Sequence, residues 1–103
     1  MIRRPNSPEE WDSYFNLRYE VLRAPWNQPR GSERNEGDAS AEHFAFFENE
    51  QIIGVGRLDF TENLGSQIRF MAVETNNQGN GIGEKLMLHL EGIVIQNGRK
   101  RGE

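Results

Sequence analysis

Three glycines at alternate positions, Gly79, Gly81 and Gly83, lie between an apolar stretch over residues 67–74 and a segment of helical periodicity beginning near Glu84. Residues of this type in this arrangement can bind phosphate. Alternate glycines let the backbone turn sharply and approach a ligand without side chains in the way. The free N–H groups of the following helix then converge where the helix dipole is positive. On spacing alone, glycines also serve tight turns and close packing. Two other phosphate loops do not fit. A dinucleotide fingerprint needs Gly-x-Gly-x-x-Gly and an acidic residue about twenty positions later on a next strand, and the chain ends near there. A Walker loop needs Gly-Lys-Ser/Thr, whereas Gly83 precedes Glu84 and Lys85.

The elements that must position this loop are legible on both sides of it. Ile68, Phe70 and Ala72 alternate with Arg69, Met71 and Val73, and both sets are mostly apolar, which predicts a central strand over 67–74 covered on both faces. Ile82, Leu86, Leu90, Ile93, Val94 and Asn97 make one stripe of a helix over 83–97, with Leu88 and Ile95 widening it and Gly98 ending it. Toward the N-terminus, residues 1–4 suit an edge strand that Pro5 ends. Ser7-Pro8-Glu9-Glu10 reads as N-cap, first helical position and capping box. Trp11, Tyr14, Phe15, Arg18, Val21 and Leu22 then form the inner face of a helix over 7–23, which Ala24-Pro25 stops.

Residues 24–42 are polar and aperiodic, long enough for a short helix, and read either as a solvated connection or as a substrate-facing loop. Strands over 43–48 and 51–60 form a hairpin around Asn49-Glu50, with Gly54 and Gly56 marking a bulge or a close backbone approach. Residues 61–66 turn the chain into the central strand, giving three consecutive antiparallel strands.

Composition narrows the function. A chain of 103 residues supports one domain, and its formal charge of −4 gives no electrostatic case for nucleic acid. No apolar run approaches the ~18 residues of a membrane span and no secretory signal opens the chain, so a soluble cytoplasmic protein is expected. Without cysteine there is no disulfide, no thiolate metal site and no cysteine-linked acyl-enzyme, and no metal is expected. Arg99, Lys100 and Arg101 suit the negative end of a helix dipole rather than nucleic acid.

The stretch from Ile68 to Gly83, with Met71-Ala72-Val73 on the strand and Gln78, Gly81 and Gly83 in the loop, resembles the acyl-CoA binding motif of the GNAT superfamily of N-acyltransferases. Its Gln/Arg-x-x-Gly-x-Gly/Ala pattern is matched in full by residues 78–83. The resemblance implies an α+β fold, a mixed and mostly antiparallel sheet flanked by helices. It also implies an acetyl-CoA cosubstrate whose pyrophosphate lies on the amides of Gln78, Gly79, Asn80, Gly81, Ile82 and Gly83. Strand amides at Met71, Ala72 and Val73 would hold the pantetheine arm and polarise the thioester carbonyl. Residues 18–28 are similar to the first helix and substrate loop of one bacterial branch of the family.

In that family a fifth strand, a fourth helix and two further strands follow the helix at which this chain stops, so the expected domain is truncated. The strand over 67–74 would then be an open edge, which predicts a homodimer or a partner chain covering it. The implied reaction is direct attack of a small-molecule or peptide amine on the thioester. An alkyl amine of pKa about 10.4 is neutral at pH 7 in only about one molecule in two thousand, so a general base helps. Glu74, Glu62 and His43 are the candidates, with Glu74 foremost. The family's thiolate-protonating tyrosine comes from the absent helix, and Tyr14 and Tyr19, both on the first helix, do not replace it. Three readings follow: an acetyl-CoA-dependent N-acetyltransferase complete as an oligomer or with a partner, a non-catalytic acyl-CoA-binding module, and a self-associating chain without ligand.

Overall fold

The first helix begins where side chains can satisfy its free amides. The Ser7 hydroxyl accepts the Glu10 N–H at 3.2 Å and Pro8 takes the first helical position, so helix α1 spans Pro8–Leu22. The Glu10 carboxylate reaches back to the Asn6 N–H at 2.8 Å and holds Arg3 through two bonds of 2.9 and 2.8 Å. Arg3 belongs to strand β1, Ile2–Arg3, so this pair ties the helix start to the sheet. In the computed structural model residues 1–34, 36–61 and 65–102 are described, with side chains for 1–34, 38–59 and 67–93.

After α1 the chain makes two short 3-10 turns, Ala24–Trp26 and Glu36–Ala39, and then enters β2, Glu42–Glu48. Asn49 and Glu50, with φ of 51° and 67°, form the hairpin turn into β3, Gln51–Thr61, and β4 follows as Gly65–Val73. The sheet order is β1-β2-β3-β4 and every neighbouring pair is antiparallel. A further 3-10 turn, Thr75–Asn77, leads through the glycine loop into helix α2, Ile82–Gly102. This is the expected α+β architecture, a sheet with a helix on each face.

Successive strand residues point to opposite faces, and the two cores follow that rule except at Ile53, the extra residue that β3 carries between the Phe46–Gly54 and Phe47–Ile52 pairs. Tyr14 and Leu17 of α1 pack with Ala45, Phe47, Val55 and Ala72 on one face. Ile82 and Leu86 of α2 pack with Ile53, Phe46, Met71 and Val73 on the other. The approach of α2 depends on the absence of side chains in β3. A Cβ at Gly54 would stand 2.8 Å from Leu86 Cδ1 and 2.9 Å from Ile82 Cγ2, and one at Gly56 would stand 3.0 Å from Leu90 Cδ1.

Three expectations are corrected. Helix α2 runs through Gly98 to Gly102, because an interior glycine costs roughly 1 kcal/mol against alanine without ending a helix. Leu88 does not widen the inner stripe: Ile82, Leu86 and Leu90 are buried, while Leu88 is 60% exposed. Strict alternation in β4 also fails. Arg57 of β3 pairs with Arg69, yet Val55 pairs with Ala72, so β4 carries one extra residue opposite Gly56. The bulge holds Phe70 at φ 52° and turns both Arg69 and Phe70 toward the α1 face, leaving Ile68 on the other. The side chain of Ile95 lies outside the described residues. Among the described residues no helix is long and apolar enough to cross a membrane.

Candidate functional site

The glycine loop is built from its strand end outward. Glu74 donates its N–H to the Ile53 carbonyl at 2.8 Å, and its Oε2 accepts the Asn77 Nδ2 at 2.9 Å, which fixes the 3-10 turn. The Gln78 side chain folds back and donates Nε2 to the Val73 carbonyl at 3.0 Å. Gly79 and Gly81 then take φ of 90° and 79°, and nothing lies within 4 Å of a Cβ at either. Glycine is needed there for its conformation alone. Gly83 differs: a Cβ would meet Val73 Cγ2 at an ordinary 3.6 Å.

Where the loop enters α2, Lys85 donates its N–H to the Gly81 carbonyl at 3.0 Å and closes the first turn. Among the described residues no backbone acceptor takes the N–H of Ile82, Gly83 or Glu84. Three donors at the positive end of a helix 21 residues long are suited to an anion. Asn80 is exposed beside them, while the Ile82 side chain is buried in the core and only its amide is available.

Met71, Ala72 and Val73 put their side chains into the two cores, which leaves their backbone as what a ligand could meet. Strand β4 is last in the sheet order, so among the described residues nothing pairs with its outer edge. Glu74 stands between that strand and the loop, half-buried, in the wall of a cleft of about 620 Å³ with Glu9, Glu20, Glu50 and Thr75. The other two candidates fare differently. Glu62 lies outside the described residues. His43 is buried on the α1 face, where its Nε2 donates to the Asp38 carbonyl and its Nδ1 accepts the Tyr14 hydroxyl, each at 2.8 Å. Burial lowers the His43 pKa, and neither ring nitrogen is left for a substrate.

Beside His43 lies a cluster that local pattern did not reveal. Asp38 Oδ1 accepts Nη1 of both Arg18 and Arg57 at 2.9 Å, and the Asp59 carboxylate grips Arg57 at 2.6 and 2.7 Å. Arg18 also donates to the Glu33 carbonyl. Both guanidinium carbons lie over the Phe70 ring, at 4.2 Å for Arg18 and 4.6 Å for Arg57. Arg18 and Arg57 are 0% and 1% exposed. One signal was present: Arg18 occupies a core position of the α1 stripe, and Arg57 and Asp59 share the strand face of Val55.

A family model for the acetyltransferase (GNAT) family matches residues 10–101. Among solved structures, an aminoglycoside 6'-N-acetyltransferase complexed with coenzyme A superposes with a TM-score of 0.75 and 20% identity, over 95% of this chain and 57% of that one. An IAA acetyltransferase from Bacillus cereus gives 0.70 and 22%, over 95% and 59%. A GNAT family acetyltransferase from Staphylococcus aureus gives 0.72 and 16%, over 94% and 68%. At such identities the likeness is one of fold, and the chain spans less than two-thirds of the length of the first two. The matched residues take in nearly all of α1, the connection after it, β2 to β4, the glycine loop and almost all of α2, and on that match the chain belongs to the acetyltransferase (GNAT) family.

Proposed function

We propose that the chain binds acetyl-CoA and takes part in acetyl transfer to an amine. The observation that carries this reading is the row of N–H groups at Ile82, Gly83 and Glu84 without backbone acceptors among the described residues, presented by a loop whose two left-handed residues are glycines. In this reading the amides of Gly79, Gly81, Ile82 and Gly83 bind the pyrophosphate, those of Gln78 and Asn80 donating to the Thr75 and Asn77 carbonyls at 3.4 Å, and the outer edge of β4 at residues 71–73 takes the pantetheine arm. The amine nitrogen attacks the thioester carbonyl, a C–N bond forms as the C–S bond breaks, and the coenzyme leaves as thiolate. Glu74 receives the amine proton, directly or through water. The protein acts in the cytoplasm, and a second copy or a partner chain covers the β4 edge; sedimentation at micromolar concentration tests the latter, a monomer counting against self-association.

A second reading, coenzyme binding without turnover, is favoured by the state of the two tyrosines. The Tyr14 hydroxyl is buried against His43, with its pKa raised by burial, and Tyr19 lies on α1 under Arg30 at 4.2 Å. The Tyr14 hydroxyl is therefore not free to protonate a thiolate. The deciding experiment is calorimetric titration with acetyl-CoA on the wild type and Gly81→Val, followed by an assay for free coenzyme thiol over a panel of amines. Micromolar binding, about 8 kcal/mol, that Gly81→Val abolishes supports the loop assignment. Binding without thiol release selects the second reading, and no wild-type binding sinks both.

A further inference from the structure

The buried ion cluster is a costly arrangement for a face that could have been filled with aliphatic side chains. Charges removed from water must recover their hydration from partners, and a hydrophobic replacement often does as well or better for stability. Its geometry suggests what it holds. Arg18 comes from α1, Arg57 and Asp59 from β3, and Asp38 from the connection between α1 and β2. The two guanidinium groups, held by these carboxylates, converge on Phe70, the left-handed residue of the β4 bulge. The same connection is drawn in at two more points, where Arg18 donates to the Glu33 carbonyl and Arg23 Nε to the Ser32 carbonyl at 3.0 Å. Arg18 Nε, buried, has no hydrogen-bond partner among the described residues, and the Phe70 ring is among the surfaces its guanidinium faces.

We infer that Arg18, Asp38 and Arg57 are positioning residues that act through Phe70. They hold the bulge in its left-handed form and thereby fix the direction of the β4 edge beside Met71 and Ala72. Because Asp38 bridges both arginines, the bulge geometry depends on the connection being docked, and the connection docks only when the bulge is formed. This rests on the reading of the β4 edge as the acyl site. Displacement of a reacting group by about 1 Å can cost about a hundredfold in rate, so a bulge that wanders would lower turnover while leaving the phosphate loop able to bind.

The test uses the full chain and two variants. Asp38→Asn removes the shared acceptor charge; Phe70→Leu leaves every ion in place and removes only the ring, so it survives if the first variant does not fold. Hydrogen exchange is read by residue, together with acetyl-CoA affinity by calorimetry and kcat by thiol release. The coupling is reciprocal. Asp38→Asn is expected to speed exchange at residues 70–72 by about tenfold or more, and Phe70→Leu to do the same at 31–34. Affinity should stay within about twofold while kcat falls about tenfold or more. Exchange changes confined to the substituted segment overturn the coupling, and an unchanged kcat in a folded variant overturns the positioning role. A wild-type chain that binds no acetyl-CoA overturns the functional reading and the positioning role with it, while exchange still decides the coupling.

Discussion

Gly54→Ala tests whether the coenzyme loop is set by the packing behind it. The added Cβ would lie 2.8 Å from Leu86 Cδ1, 2.9 Å from Ile82 Cγ2 and 3.4 Å from Phe46 Cβ. Carbon atoms rest at about 3.5–4.0 Å, so roughly 0.7 Å or more has to be made up. Leu86 is fully buried and cannot swing into solvent, and the Ile82 methyl sits on a β-branched side chain with one strongly preferred rotamer in a helix. The helix must therefore lift. Overpacking of this kind costs about 1–3 kcal/mol, against which the stiffer unfolded chain returns about 0.4–1 kcal/mol. A net loss of about 1.3 kcal/mol corresponds to roughly 5–10 °C in Tm for a domain of this size.

Ile82 opens α2, so the same lift displaces the row of free N–H groups and should weaken acetyl-CoA binding by about tenfold, or 1.4 kcal/mol. Gly56→Ala is the internal control. Its Cβ would meet Leu90 Cδ1 at 3.0 Å, two turns farther from the loop than Ile82, and Met71 Cε, the end of an unbranched side chain, at an ordinary 3.6 Å. It should cost less than about 1 kcal/mol and leave affinity unchanged. Denaturant unfolding and calorimetry on both variants decide the matter. Wild-type stability in Gly54→Ala would refute the packing argument. Lost stability with intact affinity would refute the link from packing to the loop.

Two further predictions concern pH. Burial lowers the His43 pKa below its usual 6.5, so the unfolded chain takes up a proton that the folded one resists. The stability this supplies is complete above pH 6.5 and declines as pH falls below it, and His43→Gln should flatten that slope in urea midpoints measured from pH 8 to 5. The Arg3 guanidinium, with the Asn6 amide, brings the Glu10 carboxyl down from 4.5 to about 2. Its contribution is present above pH 4.5 and lost as pH falls toward 2; carboxyl NMR should show this titration, and Arg3→Gln should return it toward the ordinary range.

The parts of the fold written in adjacent residues were readable, and those that depend on distant partners were not. Ser7 and Pro8 announce α1 because a cap is a contact over three residues, and the glycines of the loop announce themselves because no other residue takes φ near +80° without strain. Asp38 meets Arg18 and Arg57 across some twenty residues on either side, a pairing that no window of periodicity contains. The bulge at Phe70 was hidden for a different reason. With apolar residues on both faces of β4, an extra residue leaves no mark in the hydrophobic pattern. Leu88 misled because an apolar residue on a helix gives its type and not its partner.

The bulge also makes β4 a strand whose numbering changes parity. Up to Arg69 the odd-numbered residues look toward α1; from Phe70 onward the even-numbered ones do. Loss of that one residue would leave both halves facing as they do now, since Arg69 already lies opposite Arg57 and Ala72 opposite Val55, and an unbroken ladder would join them. Straightening the strand with Phe70 still in it is the opposite case. With Ala72 held opposite Val55, Arg69 would pass to the side that α2 covers and Ile68 would turn toward the charges of Arg57 and Asp59. The kink at Phe70 thus absorbs the odd residue, and two halves of the same strand, each correct by its own count, face the right way at once.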